Sequence, residues 1–313
     1  MLSQSWSKRT SFLLITAICI TTALIRQLDV RRNSIAFTLP LPPQDDRNTY
    51  LPATDFPDKI WQSWKDDSEN PTDRTVGFPR QWRVVNPTHR YERITDNNSD
   101  SYVDQRFPVD ISEIFSNLTD PILRADFLRY LVMLREGGVW ADIDVLPHQP
   151  ISRWVPDTLK RSVNLVIGIE NDHEKKPIWD GVPYSVQLSQ YTMLSKPGHP
   201  VFVTLVDEVS RNLRKLLDLK GTRDSITFEE VMSTTGPFAF TKVVMEYMTQ
   251  ATGIEHTGDE LSQLREPRLI GDVLILPKDS FGWLPHDHTH ERGDPSILVE
   301  HLFIGSWREG HPG

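Results

Sequence analysis

From Phe56 onward, short apolar runs alternate with stretches in which apolar residues recur every three or four positions. KIWQSW (59–64), QWRVVN (81–86), VWADID (139–144), VNLVIGIE (163–170) and DVLILP (272–277) have the length and composition of strands. The clearest helix is DPILRADFLRYLVMLREGG, where Asp120 can cap the start, Pro121 suits the first helical position and Gly137-Gly138 supplies a left-handed stop. Ile122, Leu123, Phe127, Tyr130, Leu131 and Leu134 give it a broad apolar face for packing on a sheet. Asp126 and Arg129 interrupt that pattern three residues apart, where they are neighbours on the helix surface. Further helices are predicted over 199–219 and 236–250, the latter beginning beside Gly236-Pro237. The alternation predicts an α/β fold with a largely parallel sheet and no internal repeat.

Ahead of this region the pattern changes. Residues 1–10 form a short tail, and SFLLITAICITTALI, from Ser11 to Ile25 and closed by Arg26, is an apolar run following SKR. It is shorter than the roughly 20 residues that span an average bilayer, so a cleaved signal peptide competes with an uncleaved anchor. No small-x-small cleavage site follows, and a thin early-secretory membrane suits a short span. The expected layout is therefore a cytoplasmic tail (1–10), a signal anchor (11–26), a Pro-rich linker (27–55, containing LPLPPQDDRNTYLP) and one folded domain (56–313).

With 313 residues, 38% of them hydrophobic and nine of them tryptophan, the chain can bury a full core. Its formal charge of −9 argues against nucleic acid as a partner, since phosphate backbones need a basic footprint. Cys19, the one cysteine, lies in the apolar run, so the folded domain forms no disulfide of its own. Asn97-Asn98-Ser99 and Asn117-Leu118-Thr119 are sequons usable in a lumenal domain.

The chain has no GxxxxGK, GxGxxG, GxSxG or HExxH. Any phosphate chemistry must take another route, and Asp142-Ile143-Asp144 offers one. Residues two apart on a strand point to the same side, so where the strand frays both carboxylates can converge on a hard cation that bridges a diphosphate. Taken alone, the pair is as readily the solvated face of a turn. As the acid and base of a hydrolase, carboxylates this close fall short of the separations glycosidases use. Agreement among the capped helix, its Asp/Arg pair, the Gly-Gly stop and the apolar strand favours the cation.

ILRADFLRYLVMLREGGVWADIDVLP resembles the signature of glycosyltransferase family 32, which includes the fungal initiating α-1,6-mannosyltransferases, and is similar to the core of the large bacterial glucosylating toxins. FPDKIWQSWK matches the family's opening strand, VVNPTHRYERITD its second strand and turn, and HLFIGSW its closing motif, so the likeness runs from about residue 57 to 307. It implies a GT-A fold, a Rossmann-like mixed sheet flanked by helices, behind the N-terminal anchor. It also implies a divalent cation, Mn²⁺ or another, a GDP-mannose donor and a glycan or glycolipid acceptor in the Golgi lumen. The expected reaction is retaining transfer of an α-mannosyl group to an N-glycan, with an α-1,6 linkage favoured.

An inositol-phosphoceramide mannosyltransferase, another hexosyltransferase, or a non-catalytic sugar- or metal-binding module are the alternatives. A secreted form after signal cleavage is the alternative location.

The resemblance also implies residue roles. Asp126 and Arg129 match the pair that holds donor-sugar hydroxyls, against the alternative of a surface ion pair. Asp142 and Asp144 match the metal-and-donor pair, the second chelating the cation and the first reaching ribose, sugar or a metal-bound water. Trp61 matches a position near the base, or is a buried strand tryptophan; Asn86 is a base or ribose contact, or a strand-ending turn residue before Pro87. His301 is a further metal ligand, or structural, and Ser306 and Trp307 contact the diphosphate. HDHTHER (286–292) is assigned to the acceptor side or to no function. Where the family commonly has tyrosine this chain has Trp140, which loses the hydroxyl and puts any hydrogen bond from that position in question. The loops 171–185 and 220–235 are expected to shape the donor and acceptor pockets.

Overall fold

The computed structural model describes residues 55–67, 78–177, 184–220, 226–282, 293–305 and 310–311. The tail, the anchor and nearly all of the linker lie outside these residues, as do Ser306, Trp307 and the 286–292 tract. Among the described residues no helix is long and apolar enough to cross a membrane.

β1 (Lys59–Trp64) opens the domain. It is followed by α1 (Phe78–Val85), β2 (Arg90–Thr95), α2 (Asp96–Arg106) and α3 (Val109–Asn117), then by α4 (Pro121–Arg135), β3 (Gly138–Ala141) and β4 (Val145–Pro147). Beyond a short 3₁₀ turn come β5 (Leu165–Asp172), β6 (Val186–Ser195), α5 (Pro200–Lys220), α6 (Phe228–Thr234) and α7 (Pro237–Thr252). β7 (Arg268–Ile270), β8 (Val273–Leu276), α8 (Lys278–Gly282) and β9 (Val299–His301) complete the described elements. Seven strands form one sheet in the order β2-β1-β3-β6-β5-β8-β7, while β4 and β9 pair separately.

The sheet is mixed, where the alternation alone predicted a largely parallel one. β1 runs parallel to β2 and β3, and β5 to β8, but β6 is antiparallel to both its neighbours and β7 to β8. β6 has no strand signal because Gln187, Ser189, Gln190 and Thr192 break its apolar run, yet all ten of its residues are buried. A central strand covered on both faces shows no alternation. QWRVVN, predicted as a strand, lies within α1 and its end. Pro79, Trp82 and Asn86 are buried at helical spacing, while Val84, which a strand would bury with Trp82, is 69% exposed.

α4 forms as its punctuation predicts. Asp120 accepts from the Ile122 and Leu123 amides at 3.0 and 3.5 Å, a cap worth about 1 kcal/mol. Gly137 and Gly138 follow at φ +60° and +84°. A Cβ at Gly138 would come within 2.7 Å of the Lys59 carbonyl, so glycine is what lets α4 turn directly into β3 beside β1. Of the two sequons, Asn117 is exposed at the end of α3, whereas Ser99 of the other is buried in α2.

At the same end of the strands as Gly138, but towards the other edge of the sheet, Asp272 ties four elements together. It accepts from Asn164 Nδ2 at 2.8 Å and from the Tyr247 hydroxyl at 2.9 Å, with His199 Nε2 3.4 Å away. The Val201 amide donates to His199 Nδ1, which leaves Nε2 as the protonated nitrogen facing the carboxylate. Burial alone would raise the Asp272 pKa, but these donors outweigh it and hold it down at about 2. The stability this contributes is therefore present above the ordinary aspartate range and is lost as the pH falls through about 2. Asp272→Asn is expected to cost about 2 kcal/mol at neutral pH and to flatten the acid limb of the stability curve, as read by urea melts across that range.

Candidate active site

β3 ends at Ala141, and the next three residues form a turn rather than more strand: the Asp142 amide donates to the Tyr191 carbonyl at 2.8 Å and the Val145 amide to the Asp142 carbonyl at 3.0 Å. The expectation that Asp142 and Asp144 share one face of a strand is thereby corrected. The turn sends their carboxylates to different partners. Gln62 pins it from β1, donating from Nε2 to the Asp142 carbonyl at 2.9 Å while accepting from the Tyr91 hydroxyl at 2.8 Å.

Asp142 faces α4. Arg129 Nη2 donates to both its oxygens, at 2.8 and 2.9 Å, and Trp140 Nε1 donates to Oδ1 at 2.8 Å. The indole N–H at position 140 thus supplies a hydrogen bond despite the missing hydroxyl. Arg129 Nη1 donates to Asp126 Oδ1 at 2.7 Å, so one guanidinium holds two carboxylates. This pair is not on the surface: Asp126 is 1% and Arg129 3% exposed. Asp126 also accepts from Gln190 Nε2 at 3.2 Å and from the Thr235 hydroxyl at 3.0 Å.

Behind them the Tyr130 hydroxyl lies against Gln190 Oε1 and 2.7 Å from the Thr235 carbonyl. Gln190 and Thr235 went unnoticed in the sequence, and no local pattern marks them.

Electrostatics follow from this geometry. Burial pushes the Asp126 carboxyl up to about 6, against the pull of Arg129, with Asp142 pushing the same way as burial and the Thr235 hydroxyl pulling back. Three donors, Arg129, Gln190 and Thr235, converge on its two oxygens, an arrangement that favours the carboxylate. Burial opposes charge on Arg129, but Asp142 and Asp126 together outweigh it and raise its pKa.

Asp144 faces the other way. Its Oδ1 lies 3.3 Å from His301 Nε2 at the end of β9, its Oδ2 accepts from the Ile304 amide at 3.0 Å, and its carbonyl accepts from the Leu302 amide at 3.0 Å. Burial raises the Asp144 pKa, but His301 and the Ile304 amide more than offset it, so the net shift is downward. An anionic oxygen beside an imidazole nitrogen suits a hard or borderline divalent ion. Adjacent ligands of an octahedral cation, with bonds of about 2.1 Å, stand about 3 Å apart, close to the spacing seen. Asp142 is engaged by Arg129 and Trp140, and among the described residues no three His, Cys, Asp or Glu side chains gather as a metal site. The residues present therefore fit a cation held by Asp144 and His301, with its other positions open to a ligand's oxygens.

Two predicted donor contacts lie elsewhere. Trp61 is 6% exposed, and its Nε1 donates to the Gly137 carbonyl at the start of β3, behind the Asp142–Asp144 turn. Asn86 is 3% exposed, with Nδ2 donating to the Trp82 carbonyl and Oδ1 accepting from the Ile151 amide. Trp61 is thus the buried strand tryptophan of its alternative, while Asn86 closes a helix and not the strand expected there. The aromatic ring at the carboxyl end of β1, the end where ligands meet open α/β sheets, belongs to Trp64, half-buried with Lys65 Nζ 5.6 Å from its centroid.

Residues 54–160 match the family described as a glycosyltransferase sugar-binding region containing a DXD motif, which in this chain is Asp142-Ile143-Asp144. The chain is 36% identical over 276 residues to the initiation-specific α-1,6-mannosyltransferase of Schizosaccharomyces pombe, a match covering 85% of this chain and 68% of that protein. It is 29% identical over 291 residues to the Candida albicans protein of the same name, covering 83% and 74% respectively. It is also 29% identical over 288 residues to the putative glycosyltransferase HOC1 of Saccharomyces cerevisiae, covering 88% and 69%. The chain belongs to this family of DXD glycosyltransferases, in the group that holds the fungal initiation-specific α-1,6-mannosyltransferases.

Proposed function

We propose that the protein is a cation-dependent, retaining α-mannosyltransferase of GT-A type that moves mannose from GDP-mannose to an N-glycan in the Golgi lumen, forming an α-1,6 linkage. Residues 11–26 anchor it as a single-pass type II membrane protein, and 27–55 hold the catalytic domain off the bilayer. The observation that carries the reading is the division of labour in the Asp-x-Asp turn. Asp142 is fixed by Arg129 from the helix bearing Asp126, while Asp144 is presented beside His301.

Asp144 and His301 would hold Mn²⁺ or a similar ion, whose chemistry is to neutralise charge on the departing diphosphate. The remaining work is positioning and fixed charge. Arg129 cannot swing away, because Asp126 and Asp142 grip it from two sides, so Asp142 offers the donor an oriented carboxylate edge. Asp126, with both oxygens engaged inside the protein, supports Arg129 rather than the sugar. Trp64 offers a ring face at the carboxyl end of β1, and the diphosphate contact is assigned to Ser306 and Trp307 of the closing motif on the family resemblance alone.

In the transfer the bond from C1 of mannose to phosphate oxygen breaks, the acceptor oxygen bonds to C1 on the same face, and its proton passes to the leaving phosphate. No carboxylate nucleophile is required.

Turnover assays with the full-length protein in detergent test this. GDP-mannose, UDP-galactose, UDP-glucose and UDP-GlcNAc are each offered with Mn²⁺ or with EDTA, and with either a mannose-rich oligosaccharide or inositol phosphoceramide as acceptor. Turnover is expected with GDP-mannose, Mn²⁺ and the oligosaccharide, and NMR of the product should show an α-1,6 linkage. Equal turnover in EDTA, or preference for a uridine donor or the lipid acceptor, would refute the assignment.

A further inference from the structure

Phe303 has φ +47°, a left-handed conformation that a bulky side chain adopts only when its surroundings enforce it. Those surroundings are the Asp144 carboxylate and the His301 ring. The amides on either side of Phe303 are both spent on Asp144: Leu302 N–H on its carbonyl and Ile304 N–H on Oδ2, each at 3.0 Å. The reversal of the backbone at Phe303 lets both neighbours reach the same residue.

The Phe303 ring meanwhile packs on the imidazole, with centroids 3.9 Å apart and planes at 41°. Tyr191 packs on the same imidazole at 4.0 Å and meets Phe303 edge-on at 5.9 Å. Apart from the Asp144 contact at Nε2, no side-chain hydrogen bond orients His301, since its Nδ1 is buried without a partner among the described residues. The rings set its orientation instead. In most metal sites a hydrogen bond to the far ring nitrogen does this job.

We propose that Phe303 is a positioning residue for the cation site, setting Asp144 through its backbone and His301 through its ring. This rests on the divalent-cation reading of that pair. Phe303 touches neither donor nor acceptor in this role. Its effect is to keep Asp144 Oδ1 and His301 Nε2 facing one point.

The test is Mn²⁺ binding to the full-length protein, followed by electron paramagnetic resonance titration and calorimetry, for the parent, Phe303→Tyr, Phe303→Gly and Phe303→Leu. Phe303→Tyr keeps ring and backbone and is expected within about twofold of the parent. Phe303→Gly adopts the left-handed backbone freely but removes the ring, and its Mn²⁺ dissociation constant is expected to rise about ten- to a hundredfold. Excess Mn²⁺ should restore its KM for GDP-mannose, which a merely structural defect would not allow. If Phe303→Gly does not fold by circular dichroism, Phe303→Leu, which keeps bulk without an aromatic face, is judged by the same rise.

A folded Phe303→Gly or Phe303→Leu that binds Mn²⁺ as the parent does, or a loss that excess Mn²⁺ leaves unrepaired, overturns the role of Phe303. A parent that binds no Mn²⁺ overturns the cation reading beneath it as well.

Discussion

In the Asp144→Ala variant, mannosyl transfer is expected to fall at least about a thousandfold in kcat/KM, a loss of about 4 kcal/mol of transition-state stabilisation. Two losses combine at that position. The carboxylate oxygen facing His301 disappears, and with it the anionic half of the proposed cation site. The Ile304 amide also loses its acceptor, which frees the start of the segment leading to Ser306 and Trp307. Asp144→Asn separates the two effects, because an amide oxygen can still accept from Ile304 but carries no charge. It should keep most of the parent's thermal stability and still lose most of the activity. Initial rates at saturating Mn²⁺ and GDP-mannose, with thermal melts on the same samples, make the comparison. An Asp144→Ala enzyme within tenfold of the parent would exclude Asp144 from the mechanism.

Where the chain punctuates itself locally, the fold is legible. α4 carries its own start and stop, Asp120-Pro121 and Gly137-Gly138, and the structure places it between them. β1, β5 and β8 carry enough apolar, β-branched residues to be recognised before any partner is known. α1 and β6 are not legible, for opposite reasons. α1 is short and takes its one large buried side chain, Trp82, from a run that also reads as a strand; the Trp82 Nε1 bond to the Val145 carbonyl that anchors it is 63 residues distant. β6 is central and buried on both faces, so its polar residues follow no alternation, and one of them, Gln190, finds its partners in Asp126 and Tyr130 far away in the chain.

The same distinction divides the site. Asp126, Arg129, Asp142 and Asp144 lie within one helix–turn–strand passage and can be picked out together. Gln190 and Thr235 complete the Asp126 shell from 64 and 109 residues away, and pairings of that range leave no spacing to detect. Burial is likewise invisible in a sequence. An i, i+3 Asp/Arg pair looks like surface decoration until the sheet and α6–α7 close over it. At Trp140 a chemical substitution that seems to remove a hydrogen bond keeps one, because the indole nitrogen reaches Asp142 Oδ1. Which atoms of a side chain are used depends on where its neighbours stand.

Replacing Arg129 should have the largest effect on folding. Among the described residues its guanidinium is the one group bonded to both Asp126 and Asp142, through Nη1 and Nη2 respectively. Arg129→Met leaves two carboxylates facing a buried space without their shared cation, a change expected to cost about 3–5 kcal/mol and to lower Tm by about 10 °C. Arg129→Lys keeps the charge but brings a compact ammonium in place of a planar fork. It can serve one carboxylate well or both poorly, so activity should fall about a hundredfold while less stability is lost.

The companion variant is Asp126→Asn. Burial already raises the Asp126 pKa and Arg129 is the main force against it, so without Arg129 the carboxyl is driven further towards its protonated form. Removing its charge in Arg129→Met/Asp126→Asn should therefore recover part of the lost Tm while transfer stays low, because Asp142 then keeps the Trp140 indole but lacks the Arg129 fork. A double-mutant cycle on Tm and kcat/KM reads both quantities. Strictly additive effects at the two positions would show that Asp126 and Arg129 do not act as one unit.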